Sequence, residues 1–306
     1  MIYTVTFNPA VDYVLFLDSL EEGCLNRAKS ERVFFGGKGI NVSKVLKTLG
    51  FSSIALGFSG GFTGETVIAD LKKDGIITDF VKLRTGLTRI NVKIKSDFVT
   101  EINGGGPQIS QNDIERFFEK LSVITKNDVV VLSGGIPRGA SDGIYERVCE
   151  FISRKSADII VDTEGERLMQ CLKYRPFLIK PNIDELSDIF GVELKSRSDV
   201  LKCAKILQKS GARNVLVSMG GEGALLIDEN GVKRSVRAPE GRVVNTVGAG
   251  DSMVAGFLAG YLKTKDFDYS LKLGASVGSA TAFSEGLADK ETIKTVFETF
   301  CAKGEK

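Results

Sequence analysis

The stretch "NTVGAGDSMVAG" at residues 245–256 combines residue types that phosphate chemistry requires. Gly248, Ala249 and Gly250 come directly before Asp251, and a helical pattern of apolar residues follows. Backbone N–H groups at a helix N-terminus attract anions, and small residues let a phosphate come close to them. The Asp251 carboxylate could act there as a general base, although the helix dipole should lower its pKa. Because Asp is also a preferred helix N-cap residue, the local spacing leaves both roles open.

Two further glycine clusters lie where strands or helices are expected to end or begin. "VSMGGEGALL" (217–226) leaves a predicted strand at Ser218, and "FFGGKGINVSKVL" (34–46) leads into a predicted helix with Lys38 among its glycines. Each has an ordinary explanation, a hairpin turn for the first and a solvated lysine for the second. Three such loops in one chain indicate a nucleotide and a second anionic or polar ligand. The chain has neither G-x-x-x-x-G-K-[ST] nor G-x-G-x-x-G, which argues against Walker-type NTPases and Rossmann dehydrogenases.

The chain has no histidine, which removes whole classes of mechanism. Metal sites with histidine ligands, histidine bases and Ser-His-Asp triads are all excluded. "GFSGG" (57–61) matches the pattern of a nucleophile elbow, but Ser59 has no imidazole to activate it, so we interpret it as a strand-to-helix turn. Acid–base chemistry must therefore use carboxylate, Lys, Tyr or Cys side chains.

Composition indicates a soluble globular protein. The 306 residues are 42% hydrophobic, enough for a large α/β core, and the formal net charge is only +2. Basic residues are scattered, so we expect no nucleic-acid partner, and no apolar run approaches the about 18 residues of a membrane span. The five cysteines show no paired spacing: Cys24, Cys149, Cys171, Cys203 and Cys301. We expect reduced thiols in a cytoplasmic protein that has no export signal and no membrane partner.

The elements that must hold these loops alternate regularly from about residue 53 onward. Short apolar segments such as "DVVVLSG", "DIIVDT" and "NVLVSMG" alternate with amphipathic stretches such as "QNDIERFFEKLSVI" (111–124). This alternation predicts a doubly wound α/β fold, a mostly parallel sheet flanked by helices on both faces. Ligands bind such folds at the carboxyl ends of the strands, where the polar residue that closes each strand lies.

Two segments depart from this alternation. Residues 11–37 and 88–106 have strand patterns without intervening helices, and Ile90 and Val92 alternate with polar residues as in a strand with one solvent-facing side. We place both in a small β-sheet lid subdomain over the sheet edge, within a single domain of residues 1–306. A second copy could cover the apolar side chains of this sheet, so we expect a homodimer through the lid. These side chains are Val14, Phe16, Phe34 and Phe35.

Five motifs together resemble those of a known family. "GGKGINV", "LSGGIPRG", "IKPNIDEL", "VSMGGEGAL" and "NTVGAGDSMVAG" have the order and spacing of the ribokinase-like carbohydrate kinases, across essentially the whole chain. "MIYTVTFNPAVD", "TRINVKIK" and "TEINGGGP" are similar to a bacterial branch that phosphorylates fructose 1-phosphate. The resemblance implies an ATP-dependent kinase that uses Mg²⁺ and acts on a hexose phosphate. Tagatose 6-phosphate and fructose 6-phosphate stay open as substrates, and a non-catalytic sugar-phosphate sensor is the alternative from another class.

The resemblance also implies catalytic roles. Asp251 matches the base that takes the proton of the acceptor hydroxyl. The backbone amides of Gly248, Ala249 and Gly250 match an anion hole for the transferring phosphoryl group. A base in this reaction mainly orients the hydroxyl and takes its proton late, because the transition state of phosphoryl transfer is loose.

Three sets of positions match the ligand sites of the family. Those for ATP are Lys180, Asn182, Ser218, Gly220, Gly221, Glu222, Gly223, Gly250, Gly278 and Ala282. Those for the sugar are Asp12, Gly37, Asn41, Ser133 and Asp251, with Lys38, Arg89 and Arg27 as candidates for the phosphate of the substrate. Those that would help to place Mg²⁺, through water, are Asn182 and Glu185. Without the resemblance, Glu185 is a first-turn helix acid and Arg89 an exposed strand residue.

Overall fold

The computed structural model describes residues 1–141 and 143–304, which form one large and one small β-sheet with flanking helices. The strands in these residues are β1 (Ile2–Thr6), β2 (Ala10–Phe16), β3 (Ser30–Gly36), β4 (Ser53–Ser59), β5 (Ile77–Thr78), β6 (Val81–Lys82), β7 (Arg89–Lys95), β8 (Val99–Asn103), β9 (Val129–Ser133), β10 (Asp158–Asp162), β11 (Leu178–Ile179), β12 (Asn214–Ser218), β13 (Ala224–Ile227) and β14 (Lys233–Val236). The helices are α1 (Lys38–Thr48), α2 (Gly61–Lys73), α3 (Gln111–Leu121), α4 (Ile144–Ser153), α5 (Gly165–Leu172), α6 (Ile183–Phe190), α7 (Arg197–Lys209), α8 (Ala249–Thr264), α9 (Phe267–Ala282) and α10 (Lys290–Gly304). Within the described ranges, no helix combines the length and apolar character that crossing a membrane would need.

The large sheet has the strand order β14-β13-β12-β11-β10-β9-β1-β4-β5, with β6 beside the end of β4. Its strands pair in parallel from β5 to β12, and β13 and β14 add an antiparallel edge. The chain builds outward from β1 to β4 and β5, then returns to β9 on the other side of β1. This reversal is the switch point at which doubly wound sheets bind ligands. The predicted fold class is therefore confirmed.

Helices cover both faces of the large sheet, so alternate residues of its central strands enter different cores. In β9, Val130 packs in the same core as Phe117 of α3, whereas Val131 packs with Val254 of α8 on the opposite face. Full burial of such a side chain contributes roughly 1.5–3 kcal/mol. Burial on both faces also explains why these strands are continuously apolar in sequence.

The small sheet has the order β3-β2-β7-β8, with β2 and β7 parallel and the two outer pairs antiparallel. Its strands fall at the two segments for which the sequence predicts a separate sheet. Since β1 ends at Thr6 and β2 begins at Ala10, the small sheet rises from the carboxyl edge of the large one. It therefore stands beside the switch point, as a lid over the predicted site would.

The orientation of the small sheet differs from the expected one. Asn91 of β7 is buried and donates a hydrogen bond to Asp12 of β2 (2.8 Å), whereas its neighbour Ile90 is exposed. The alternation in β7 is present, but its polar side faces the body of the protein across a cleft. The expectation of a solvent-facing polar side is wrong, because the pattern shows only that the two faces differ. Which face is turned inward depends on the packing of the sheet.

The exposed apolar surface of the small sheet also differs from the expected set. Val14 is buried within the chain, Phe16 and Phe35 are half-buried, and Phe34 is exposed. On the outer face, Val33, Tyr13, Val92 and Ile102 lie side by side across the four strands. We call these four residues the outer apolar row. Val33 and Ile102, at its two ends, are exposed.

Candidate active site

Asp251 lies in the first turn of α8, inside the protein. The N-cap of α8 is Gly248, and none of the described side chains caps the helix. Asp251 is only 5% exposed, and its carboxylate accepts a hydrogen bond from Asn41 Nδ2 of α1 (2.8 Å). The capping role that the sequence leaves open for Asp251 is therefore wrong. What the structure shows instead is a buried carboxylate held by a neighbouring helix.

The pKa of Asp251 is raised to about 7, mainly by burial and then by repulsion from the Asp162 carboxylate. The Asn41 hydrogen bond and the ammonium groups of Lys38 and Lys180 act in the opposite direction. The helix dipole predicts a lowered pKa, and this prediction is wrong because loss of solvent around the carboxylate outweighs the dipole. A carboxylate with a pKa near 7 suits general-base catalysis at neutral pH.

A second buried carboxylate, Asp162, lies beside two lysines of the site. It closes β10 and is 2% exposed, and its oxygens lie 3.2 Å from Lys180 Nζ and 3.9 Å from Lys38 Nζ. The Asp162 charge is also the main cause that raises the pKa of Lys38, so this lysine stays charged at neutral pH. Asp162 was not among the residues selected from the sequence. Its signal was its position as the polar residue that closes a buried strand.

The start of α8 faces the Lys180 ammonium group. A Cβ on Gly250 would lie 3.4 Å from Lys180 Nζ. The first intrahelical bond of α8 runs from the Ser252 N–H to the Gly248 carbonyl (2.9 Å), so the amides of Gly248 and Gly250 precede the helical ladder. The Ala249 N–H already donates to a carbonyl of the preceding turn (3.2 Å). Amide donors, a helix dipole and a lysine thus meet beside Asp251, a suitable place for a phosphoryl group.

The glycine loop after β12 has the shape that the sequence predicts. β12 ends at Ser218 and β13 begins at Ala224. Gly223 has φ 97°, and a Cβ there would lie 2.0 Å from the Val236 carbonyl oxygen, so the position requires glycine. The rest of the loop is exposed at the end of the strand: Gly220, Gly221 and Glu222. The loop therefore requires glycine at its closing residue and is open towards solvent at its tip.

Two other positions predicted for ATP lie in or beside the helix pair α8 and α9. Gly278 is buried in α9, and a Cβ there would lie 3.1 Å from the Ala249 carbonyl oxygen. Close packing of the two helices therefore explains this glycine. The Ala282 carbonyl, at the end of α9, accepts the backbone N–H of Val244 (2.8 Å) and of Asn245 (3.1 Å). Both residues support the segment that leads into α8, and their contact with ATP stays a prediction.

Asn182 and Glu185 form a capping box at the start of α6. Asn182 Oδ1 accepts the Glu185 N–H (2.7 Å), and the Glu185 carboxylate accepts the Asn182 N–H (2.9 Å). The role of Glu185 as a first-turn helix acid is confirmed. Its charge is also near enough to contribute to the raised pKa of Lys38, which places it beside the cleft.

The residues available for Mg²⁺ fit an ion that the protein contacts only indirectly. Within residues 1–141 and 143–304, no three acidic, cysteine or histidine side chains cluster closely enough to hold a metal ion. One oxygen of Glu185 is already used by the capping box. Mg²⁺ usually keeps several waters and binds substrate phosphates, which suits a site with few direct protein ligands.

The residues predicted for the sugar converge on α1. Asn41 both contacts Asp251 and lines a cavity of about 790 Å³ together with Asp12 of β2. Gly37 is the N-cap of α1, between the end of β3 and Lys38. The cavity lies between the small sheet and the body and has the size of a small-molecule site.

Ser133 closes β9 next to this group. The following residue, Gly134, approaches the start of α1, since a Cβ on Gly134 would lie 3.8 Å from Lys38 Cβ. The Ser133 hydroxyl is fully buried and has no hydrogen-bond partner among the described residues. Leaving a buried hydroxyl unpaired costs about 1–3 kcal/mol. A polar ligand that entered the site would remove this cost.

The three candidates for the substrate phosphate lie in different places. Lys38 is in the cleft, beside Asp162. Arg89 is half-buried, its Nε donates to the Asn8 carbonyl (3.2 Å), and burial lowers its pKa, so it is not an exposed strand residue. Arg27 is exposed on the loop between β2 and β3, at the end of β2 that is farther from Asp12. The structure therefore brings Lys38 and Arg89 to the site region but not Arg27.

Comparison with known proteins assigns the chain to a family. The model of the pfkB family carbohydrate kinases matches residues 5–294. The chain belongs to this family. The kinase is 44% identical to the 1-phosphofructokinase of Bacillus subtilis (strain 168) over 294 residues, which are 96% of each chain. It is 38% identical over 290 residues to the D-tagatose-1-phosphate kinase of Bacillus licheniformis, covering 94% of this chain and 95% of the relative.

Solved structures give the same assignment. Phosphofructokinase-2 from Escherichia coli in complex with substrates and products matches the kinase with a TM-score of 0.91 and 28% identity, over 98% of this chain and 99% of the other. The predicted family and the predicted class of enzyme, a phosphotransferase with an alcohol acceptor, are both confirmed. Since catalysis is shared by these relatives, the alternative of a non-catalytic sensor loses its support.

Proposed function

We propose that this kinase transfers the γ-phosphoryl group of ATP to the 6-hydroxyl of fructose 1-phosphate, giving fructose 1,6-bisphosphate and ADP. The observation that carries the proposal is the buried Asp251 carboxylate beside the glycine-rich start of α8. This arrangement supplies a base and an anion site next to each other. The 44% identity to a 1-phosphofructokinase supports the choice of substrate.

Asp251 is the proposed base. Asn41 holds Oδ2 of its carboxylate, so the second oxygen is oriented to accept the proton of the 6-hydroxyl. As that proton moves to Asp251, the bond between the hydroxyl oxygen and the γ-phosphorus forms. The bond between the γ-phosphorus and the β–γ bridging oxygen breaks, and its electron pair leaves with ADP.

The proposed anion hole stabilises the charge of the transferring group. It consists of the amides of Gly248 and Gly250 with the Lys180 ammonium group. Ala249, between these glycines, is the first residue of α8. Donors that are already in place need no reorganisation at the moment of reaction. Closure of the small sheet over the cleft would exclude water, which could otherwise accept the phosphoryl group.

ATP is proposed to lie along the carboxyl edge from the loop after β12 to the start of α8. Ser218, Gly220, Gly221, Glu222 and Gly223 would follow the nucleotide, with Gly278 and Ala282 near its base and ribose. Mg²⁺, when bound, would neutralise part of the charge on the β- and γ-phosphates. Asn182 and Glu185 are proposed to orient its water ligands, beside Lys180.

D-tagatose 1-phosphate is a second candidate substrate. A D-tagatose-1-phosphate kinase is 38% identical to this chain over 94% of its length. Tagatose differs from fructose only in the configuration at C4, so the same base and anion hole would serve both sugars. Discrimination between them would require a contact at C4.

We further propose a homodimer through the small sheet in a cytoplasmic protein. The outer apolar row leaves Val33 and Ile102 exposed, and a second copy would cover them. A phosphofructokinase-2 from Escherichia coli that is 27% identical is a tetramer in its inhibited form. All five cysteines are free thiols, as expected in a reducing compartment.

A coupled assay of ADP release with a panel of sugar phosphates tests the proposal. The panel contains fructose 1-phosphate, tagatose 1-phosphate, tagatose 6-phosphate and fructose 6-phosphate, each with ATP and Mg²⁺. We expect the highest kcat/KM with fructose 1-phosphate. A clear preference for a 6-phosphate would contradict the proposed substrate, and no turnover with any of the four would contradict the proposed reaction.

A further inference from the structure

We propose that Lys93 binds the phosphate group that the substrate already carries, and so determines the preference for a sugar phosphate over the free sugar. This inference deepens the proposed function and rests on it. Lys93 lies in β7 of the small sheet and was not among the residues selected from the sequence.

Lys93 lies on the same face as Asp12 and farther from the reacting centre. β2 and β7 run side by side, with Asp12 opposite Asn91 and Val14 opposite Lys93. Since side chains two residues apart share a face and are about 6.6 Å apart along a strand, Lys93 lies one such step beyond the Asp12 pair. Both Asp12 and Lys93 line the cavity of about 790 Å³ under the small sheet.

The substrate must extend in this direction. Its reacting hydroxyl lies at Asp251, close to the carboxyl edge, and Asn41 contacts Asp251 while lining the same cavity as Asp12. A hexose that reaches from Asp251 to Asp12 therefore directs its opposite end outward along β7. Arg89 lies opposite Ala10, nearer the carboxyl edge of the large sheet. Lys93 is on the outward side, where that end of the sugar carries its phosphate.

The charge of Lys93 is only loosely compensated within the chain. Its side chain is 16% exposed, and the carboxylate of Glu101 on β8 lies 3.9 Å from its Nζ. This separation exceeds the 2.7–3.2 Å of a normal N–H···O hydrogen bond, so the part of the chain that the structure describes gives this ammonium group no close anionic partner. A phosphate oxygen in the cavity would supply a short, charge-assisted hydrogen bond.

Besides Lys93, the cations of the small sheet that line this cavity are Arg32 and Lys95, and their contacts differ from those of Lys93. Arg32 of β3 forms an ion pair with Glu285 of the body. Lys95 lies over the Phe16 ring, with its Nζ 5.7 Å from the ring centroid, two residues farther out than Lys93. Lys95 also lines the cavity, which makes it a control for the general effect of removing a positive charge.

Steady-state kinetics of Lys93→Met test the assignment, since methionine keeps much of the length and removes the charge. We expect KM for fructose 1-phosphate to rise about ten- to hundredfold, the usual loss for one charge-assisted contact, while KM for ATP is unchanged. The rate with free D-fructose should be the same as in the unmodified enzyme, because no phosphate is present. Lys93→Arg should keep most of the affinity, and Lys95→Met should have a smaller effect.

Three results would overturn the assignment. They are an unchanged KM for fructose 1-phosphate in Lys93→Met, equal losses with fructose 1-phosphate and free fructose, and equal effects of Lys93→Met and Lys95→Met. Melting temperatures show that each variant is folded. Failure of the proposed function is a separate result, because the unmodified enzyme would then not phosphorylate fructose 1-phosphate at all.

Discussion

Asp162, Asp251 and Lys180 are buried at the centre of this kinase, and Lys38 reaches the same site from the cleft. Burial and the neighbouring Asp162 raise the pKa of Asp251, while Lys38 and Lys180 limit the rise. These opposing effects give Asp251 a pKa of about 7, although it lies at a helix N-terminus. The two lysines thus limit the pKa of the proposed base, and Lys180 also belongs to the proposed anion hole.

Replacing Asp251 by Asn should abolish most of the catalysis and little of the binding. The amide has the same shape and can still contact Asn41, but it cannot accept the hydroxyl proton. We expect kcat to fall about 10²–10⁴-fold, the usual contribution of a general base. The measurement is kcat for both proteins, with KM for ATP and for the sugar as the control. Near-normal turnover in Asp251→Asn would remove Asp251 from the proposed role.

The pH dependence of activity should report the raised pKa of Asp251. The carboxylate must be ionised to act as a base, so kcat/KM should fall as the pH is lowered through about 7. A profile that stays flat down to about pH 5 would show that no group with this pKa limits the reaction.

The stability of the protein should change in the opposite sense with pH. The native state holds a proton on Asp251 up to about pH 7, whereas an unfolded Asp loses it near pH 3.9, so this group favours unfolding increasingly between about pH 4 and 7. Asp251→Asn has no ionisable group at this position, so its stability lacks this pH dependence. Its melting temperature relative to the unmodified enzyme should therefore rise from pH 5 to pH 8, as calorimetry can measure. A constant difference would contradict the burial of an ionisable Asp251.

Sequence spacing located Asp251 and Lys180 but could not find Asp162. The glycines before Asp251 mark it in the sequence, and the motif "IKPNIDEL" marks Lys180. Asp162 is one of several polar residues that close strands, and its contacts come from α1 and from the residue after β11. Only the order of the strands in the sheet shows that these elements are neighbours. For the same reason the pKa of Asp251 could not be predicted from its helix position alone.

At the scale of elements, the turn between β12 and β13 contains two glycines whose structural requirements differ and can be compared by substitution. Gly220 and Gly223 both have positive φ, but a Cβ on Gly220 meets open space whereas one on Gly223 meets the Val236 carbonyl. Gly220→Ala should cost about 1–2 kcal/mol of stability, the price of a left-handed alanine. Gly223→Ala should cost clearly more and should raise KM for ATP, because the strand must shift. Equal losses in urea unfolding would contradict the contact at Gly223.

Element types were predictable where the chain has a strong period, and orientations were not. Continuous apolar runs such as "VVVLS" identify β9 as a strand buried on both faces, and the structure confirms it. The polar and apolar sides of β7 were recognised as different, yet their directions were reversed. A strand in a small sheet can turn either side inward, and here the hydrogen bond between Asn91 and Asp12 is made on the polar side.

At the scale of the whole molecule, the outer apolar row predicts a dimer that one substitution can disrupt. Ile102 is 59% exposed at one end of the row, and Ile102→Lys would place a charge inside the proposed interface. Val123, 64% exposed after α3, is an apolar residue away from the small sheet and provides the matched control Val123→Lys. In sedimentation at micromolar concentration we expect dimers for the unmodified chain and for Val123→Lys, and monomers for Ile102→Lys. A monomeric unmodified chain would contradict the dimer.

A single glycine joins the small sheet to α1, the helix whose Asn41 contacts the proposed base. β3 ends at Gly36 and α1 begins at Lys38, and Gly37 between them has φ 135°, a conformation that glycine adopts freely. In the proposed closure of the small sheet, Gly37 is a position at which the backbone could turn. A sugar held by Asp12 on one side and by Asn41 on the other would span this position and fix its angle, whereas a water molecule is too small to do so. The length of the acceptor would thus decide when the reaction can occur. Only an acceptor that contacts both Asp12 and Asn41 would fix the angle at Gly37 and present an oriented hydroxyl to Asp251.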